Sequence, residues 1–168
     1  MNTPPPLVYT PPFQIVADQR EKKIWDFAGI TRRIKKRDVP VEINVVLKHL
    51  KTGDYSIEGM EDVIAVERKS TADLINTISQ NRDRFVRELE RMAAFQHAFV
   101  IIEGDWRGVL LACKAKSNFN PKSLDSLIIR WQLKFPTVQW LWRPNRFTAA
   151  KSCYKILSLF YKDHLRNA

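Results

Sequence analysis

Glu67 and Lys69 stand two residues apart at the end of the apolar run Val63-Ile64-Ala65-Val66. If Val63 to Lys69 is a strand, alternation sends both side chains to one face and Arg68 to the other. Upstream, Gly53-Asp54 offers a second carboxylate at the start of Tyr55 to Ile57, and Glu58-Gly59-Met60-Glu61-Asp62 reads as the loop of a hairpin joining the two strands. Two carboxylates and a lysine so arranged can hold a divalent cation, activate a water and attack a phosphodiester. Asp18 and Glu21, in Asp18-Gln19-Arg20-Glu21, and Asp73 are further acids able to join them. Magnesium prefers carboxylate oxygens and keeps several waters, so two or three acids at strand ends meet its needs. Lys69 can then position the nucleophile or stabilise the pentavalent transition state. An acid, any residue, then lysine is a weak pattern alone; the valine-rich strand and the preceding Gly-Asp make it more specific.

The rest of the chain must position these groups. Phe13 to Ala17 reads as a first buried strand with Asp18 to Glu21 at its C-terminal end, where open α/β sheets bind ligands. Lys22 to Ile30 fits no single type, with Gly29 a candidate helix stop. Thr31 to Asp38 holds Arg32, Arg33, Lys35, Lys36 and Arg37, which suits a phosphate-contacting loop or helix edge, or simply a solvated turn. Val41 to Leu47 predicts a strand and Lys51 to Asp54 the turn after it. From Thr71 the spacing of Leu74, Ile78, Phe85, Leu89 and Met92 predicts one helix to Ala94, about 36 Å long. Ser70 or Thr71 would cap it, and Arg82, Arg84, Arg87 and Arg91 lie on its other face, either against DNA or paired with Asp83, Glu88 and Glu90 in solvent. Phe99 to Glu103 and Val138 to Trp142 read as strands, Ser123 to Lys134 and Thr148 to His164 as helices, and Lys114 to Lys122 as a loop. Trp106 to Cys113 is ordered but of open type. Strands alternating with helices indicate an α/β fold.

At 168 residues, 45% hydrophobic and 27% charged, the chain can bury one sizeable core. Its 28 Lys and Arg against 18 Asp and Glu give a net charge of +10, which favours a polyanionic partner such as nucleic acid. Cys113 and Cys153 are too few for a disulfide framework and match no zinc spacing. No apolar run is long enough to span a membrane and no signal peptide is evident, so an intracellular setting is expected, cytoplasmic or nucleoid in a bacterium or phage and nuclear in a eukaryote. Met1 to Pro12 carries five of the nine prolines and is expected to be a loose arm before a domain over 13–168.

Gly53-Asp54, a spacer, Glu67-Arg68-Lys69, three residues and Asp73 together closely resemble the signature of the XPF-type structure-specific endonucleases, the family of the archaeal Hef and eukaryotic Mus proteins. The resemblance extends through Asp18-Gln19-Arg20-Glu21, Asp73-Leu74, Arg82 at the family's helix arginine, and Ile101-Ile102-Glu103-Gly104, covering Phe13 to Gly104. It implies a restriction-endonuclease-like α/β fold, with a central mixed sheet flanked by helices, and metal-dependent cleavage of DNA near branched, flap or fork junctions in repair or recombination. By that resemblance Asp54, Glu67 and Glu21 ligate Mg²⁺, for which Mn²⁺ can substitute. Asp18 completes the acidic cluster, Lys69 is the catalytic lysine and Asp73 orients its neighbours. Arg20, Arg68, Arg82 and Arg84 become expected DNA contacts, although the pleat would let Arg68 brace the site from behind.

Two features depart from the pattern. The helicase and tandem helix-hairpin-helix modules of many members have no counterpart here, and Asn81 stands where glycine often precedes the helix arginine. Arg82-Asp83-Arg84-Phe85 looks more like short bacterial and phage versions. A homodimer through the nuclease domain is compatible with the resemblance, with Trp131, Trp140 and Trp142 either at its surface or in the core. The alternatives are a catalytically silent DNA-binding subunit, or a Holliday-junction resolvase or restriction-like nuclease of the same fold.

Overall fold

The valine- and isoleucine-rich segments form a sheet, and the stretches with helical spacing cover its two faces. The computed structural model describes residues 7–115 and 120–167. In chain order these form β1 (Ile15–Asp18), β2 (Thr31–Ile34), β3 (Arg37–Pro40), β4 (Val45–Lys48), β5 (Tyr55–Ile57), β6 (Ile64–Ser70), α1 (Thr71–Gln80), α2 (Arg82–Ala93), β7 (His97–Glu103), α3 (Trp106–Ala115), α4 (Pro121–Lys134), β8 (Val138–Arg143) and α5 (Arg146–Asn167).

Six strands make one sheet in the order β4-β1-β5-β6-β7-β8, and β2 and β3 form a separate hairpin. Pairing is parallel for β1 with β4, β6 with β7 and β7 with β8, and antiparallel for β5 with both neighbours, so the sheet is mixed as expected. Alternation along β7 sends Phe99 and Ile101 toward α5, and Ala98, Val100 and Ile102 toward the side packed by α1 to α4. β6 follows suit. Ile64 and Val66 face the α5 side, which puts Arg68 there and leaves Glu67 and Lys69 to face α1 and α2. Leu74, Ile78, Leu89 and Met92 are fully buried beneath that second face. Truncating any one of them to alanine would cost about 2–5 kcal/mol, so the floor of the site is firmly held.

The expected single helix over 71–94 is two. Asn81 leaves the helical region at φ −119° and ψ 31°, donating its N–H to Thr77 O, and its own carbonyl accepts from Phe85. The break inserts no residue, so the apolar period runs through it unchanged. The basic run is a β-hairpin rather than a loop or helix edge. β4 begins at Val45, while Val41 makes only a single bridge to Tyr9. Trp106–Ala115 resolves as a helix, and Lys22 to Ile30 is a loop, with Trp25 N–H on the Tyr55 hydroxyl at 2.8 Å and the two rings stacked at 4.5 Å. Within the expected arm, Tyr9 hydrogen-bonds Pro40 and Glu42 through its backbone, so the docked chain reaches back beyond Phe13; residues 1–6, and 116–119 of the expected 114–122 loop, lie outside the described residues. Trp131 is buried, stacked with Trp140 at 6.2 Å, and Phe85 meets both rings edge-on, which makes them core.

Candidate active site

Asp54 is fixed through its backbone before its side chain is considered. Its N–H donates to Val66 O at 2.8 Å, and its carbonyl accepts Asp18 N–H at 2.8 Å, so it is tied to β6 and β1 at once. The turn before it needs glycine: Gly53 has φ +74°, and a Cβ there would sit 3.2 Å from Val66 O. Gly53 N–H donates to Glu88 Oε1 on α2 at 3.0 Å. The carboxylate itself accepts Arg68 N–H at 2.8 Å on Oδ2.

Glu67 and Lys69 emerge on one face of β6, as the strand period requires, with Lys69 Nζ 3.0 Å from Glu67 Oε1 and side chains 14% and 11% exposed for the lysine and the glutamate. Lys69 Nζ also lies 4.4 Å from the centre of the Phe85 ring. Burial, and then the charge of Glu67, push Asp54 well above the ordinary carboxylate range. Burial likewise raises Glu67, and the attraction of Lys69 only partly offsets it. For Lys69 burial acts downward, but the charges of Glu67 and Asp54 win and raise it. An ammonium already charged at neutral pH is a poor base. It suits neutralising negative charge on a reacting phosphate.

On the opposite face Arg68 forks onto Glu103, Nε to Oε1 at 2.8 Å and Nη2 to Oε2 at 2.7 Å, with side chains 4% and 10% exposed. Its remaining nitrogen is 3.5 Å from Glu21 Oε1. The Arg68 side chain is thus turned onto carboxylates and almost fully covered, which matches the expected bracing from behind more closely than the expected DNA contact. Glu103 also accepts Trp25 Nε1–H at 2.5 Å, which locks the loop after β1 behind the site. Glu21 lines the cavity, but its carboxylate is drawn toward Arg68 and accepts Lys23 N–H at 2.6 Å.

Asp18 is buried at the end of β1 and held by Arg20, whose N–H and Nε donate to Oδ1 at 2.9 and 3.1 Å. Burial pushes Asp18 up, but the Arg20 hydrogen bonds together outweigh it and keep it below the ordinary range. Arg20 also donates to Leu50 O at 2.6 Å, so a guanidinium 61% exposed is anchored at the rim. Asp73 closes a capping box: its N–H donates to Ser70 Oγ at 3.1 Å and its carboxylate accepts from Ser70. Arg82 donates from Nε to Ile78 O at 2.5 Å at the end of α1, outside the cavity, whereas the exposed Arg84 lines it.

The resulting cavity is about 550 Å³ and collects Asp18, Glu21, Asp54, Glu67, Lys69 and Asp73, with Arg20, Lys51 and Arg84 at its edges. Glu88, which sequence reasoning treated as a surface charge, belongs to it. It pairs with Arg91, holds Gly53 and adds to the upward pressure on Glu67. Its position among Arg87, Glu90 and Arg91 resembles an ordinary solvated face and carried no signal. Among the described residues no group of three or more acidic, His or Cys side chains is close enough to hold a metal unaided. Asp54 and Glu67 nonetheless fit Mg²⁺ or Mn²⁺, because such an ion needs only one or two carboxylates beside its waters, and burial raises both carboxylates more than Lys69 and the Arg68 N–H lower them, which a cation would relieve.

The sequence model of the ERCC4 domain matches residues 17–156. A 3′-flap repair endonuclease Xpf from Saccharolobus solfataricus is 33% identical over 93 residues, 55% of this chain and 34% of that relative, so the match spans about a third of the relative's length. XPF from Aeropyrum pernix superposes with a TM-score of 0.64 over 92% of this chain and 69% of its own, at 19% identity. XPF from Aeropyrum pernix in complex with DNA gives 0.59 over 90% and 66%, at 18% identity. Likeness at those identities speaks for the fold, a mixed sheet flanked by helices of the restriction-endonuclease-like kind.

Proposed function

Because the chain belongs to the ERCC4-domain family, we propose that its 13–168 domain is a metal-dependent DNA endonuclease that hydrolyses phosphodiester bonds at branched, flap or fork DNA, in repair or recombination. The observation that carries this reading is the arrangement of Asp54 and Glu67 beside a charged Lys69 in a cavity edged by cations. The Saccharolobus relative, a 3′-flap repair endonuclease, supports flap-like DNA as the substrate class, and the second Aeropyrum structure, a complex with DNA, supports DNA as the ligand.

Asp54 and Glu67 would hold Mg²⁺, or Mn²⁺ in its place, with Glu21 nearby to accept from a coordinated water. When bound, the ion supplies an activated water and neutralises charge on the scissile phosphate. Lys69, kept protonated by Glu67, places its ammonium toward the same phosphate and stabilises the charge that grows as the nucleophile attacks. Arg20 and Arg84 grip flanking phosphates from the rim, Arg20 held in place by Asp18. Arg82 extends that contact along the strand from the break between α1 and α2, in a shallow pocket shared with Arg84 and Arg87. Asp73 keeps α1 docked at the end of β6 and so sets where Lys69 ends. A homodimer through this domain is compatible with the reading, and no helix among the described residues is long and apolar enough to cross a membrane.

The test is a panel of labelled flap, fork, nicked, Holliday-junction and plain duplex DNAs incubated with Mg²⁺ or Mn²⁺. Strand cleavage that prefers the flap or fork supports the proposal. Cleavage of plain duplex alone would point to a restriction-like enzyme, and binding with no cleavage of any DNA would point to a silent subunit.

A further inference from the structure

Thr31–Pro40 contains five cations, Arg32, Arg33, Lys35, Lys36 and Arg37, against one acid, Asp38. The strands β2 and β3 pair with Ile34 opposite Arg37, leaving a two-residue turn of Lys35 and Lys36. Such a turn needs positive φ at both central positions and is ordinarily filled by Asn-Gly. Here two lysines adopt φ 45° and 68°, a conformation that residues with a Cβ resist. The tip therefore carries charge where turn chemistry alone would favour other residues.

The hairpin does not consume that charge internally. Arg33 and Asp38 approach to 3.6 Å with side chains 68% and 60% exposed, a weak pairing. Among the described residues, Lys35, Lys36 and Arg37 have no carboxylate within ion-pair distance. Arg32 acts differently: its guanidinium lies 4.2 Å from the centre of the Tyr9 ring and roots the hairpin.

Its position sets it apart from the cavity. Val41 N–H donates to Ile30 O and Tyr9 N–H to Pro40 O, both at 2.9 Å, so the hairpin springs from the chain just ahead of β4. β4 runs parallel to β1, whose far end delivers Asp18 to the cavity. The hairpin root thus lies past the N-terminal end of β1, a strand's length of about 13 Å from the end that carries Asp18. That is about four base-pair steps of a duplex.

We propose that the β2–β3 hairpin is a second DNA-binding surface, its lysine tip gripping backbone phosphates of a duplex arm away from the point of cleavage. The proposal rests on reading the chain as a DNA-acting enzyme. Lysines at a hairpin tip act as point charges and read no sequence, so the contribution is to affinity and salt dependence.

Replacing the turn by Asn-Gly, as Lys35→Asn with Lys36→Gly, removes both charges and relaxes the backbone. The measurement is the dependence of duplex affinity on salt, read by fluorescence anisotropy on a labelled blunt duplex several helical turns long, together with the melting temperature. The double variant is expected to melt at or above the wild-type temperature while its log–log salt slope falls by about two. Lys35→Arg with Lys36→Arg keeps the charges in the same turn and is expected to keep the wild-type slope. An unchanged slope in the Asn-Gly variant overturns the proposal, as does a wild-type chain that does not bind the duplex. A wild type that cuts DNA while the slope stays fixed leaves the nuclease reading standing without the hairpin; a slope that falls in a chain that cuts nothing leaves the hairpin without the nuclease.

Discussion

Arg68 donates its backbone N–H to Asp54 Oδ2 at 2.8 Å, so the residue between Glu67 and Lys69 fixes the carboxylate across the hairpin while its own side chain points the other way. The two halves of the candidate site, one just before β5 and one on β6, are joined at this bond. Backbone and side chain of one residue serve opposite faces of the sheet.

That division predicts the fate of Arg68→Met. The variant keeps the N–H to Asp54 but leaves Glu103, 10% exposed, without its fork. Losing one partner of a buried pair costs about 3–5 kcal/mol. A marked fall in melting temperature is expected, with DNA affinity at the remaining folded fraction little changed; a loss of affinity without loss of stability would return Arg68 to the DNA surface.

Asp54→Asn is expected to stabilise the metal-free protein. Asp54 and Glu67 have folded pKa values raised above their ordinary 3.8 and 4.5, so the folded state binds more protons and stability is lost as pH rises through that window. The wild type without metal should melt higher at mildly acidic than at neutral pH. Asparagine removes the charge, flattens that difference and adds about 1 kcal/mol at neutral pH, about 2–4 °C in melting temperature. Asp18, held low by Arg20, works in the opposite sense and loses its contribution only at lower pH. Calorimetry in chelator across pH reads both effects.

The Gly53 turn tests whether backbone placement of Asp54 matters. Gly53→Ala forces a side chain onto φ +74° and within 3.3 Å of Ala65 Cβ, for about 1–3 kcal/mol of strain. Glu88→Ala leaves the Gly53 N–H without its acceptor, whereas Glu88→Gln retains one. Cleavage rates should fall for both alanine variants and recover in the glutamine variant. Equal rates in the Glu88 pair would make Glu88 a surface charge.

The hairpin that carries the acids was legible in the sequence because strand alternation and a glycine loop leave local marks: Tyr55–Ile57, the loop and Ile64–Ser70 fall where the pattern puts them. Glu67 and Lys69 came with it, since their shared face follows from period two, and Asp54 was marked by the Gly-Asp turn before Tyr55. The break at Asn81 was hidden because the apolar stripe continues across it in phase. The basic hairpin was hidden because its turn lacks the glycine or asparagine that marks such turns, and Lys35 and Lys36 take positive φ instead. Glu103, as the partner of Arg68, depends on the parallel register of β6 and β7, a long-range pairing that no local pattern encodes.

Lys69 carries the central claim, that this cavity cleaves phosphodiester bonds with an ammonium already charged. The direct measurement is single-turnover cleavage of a labelled flap DNA in Mg²⁺ by the wild type and Lys69→Ala, with the dissociation constant for the same DNA measured in chelator. Cleavage by the wild type is expected, with a fall in rate of at least about a hundredfold in the variant and dissociation constants that agree closely. Cleavage by Lys69→Ala at the wild-type rate would contradict that claim.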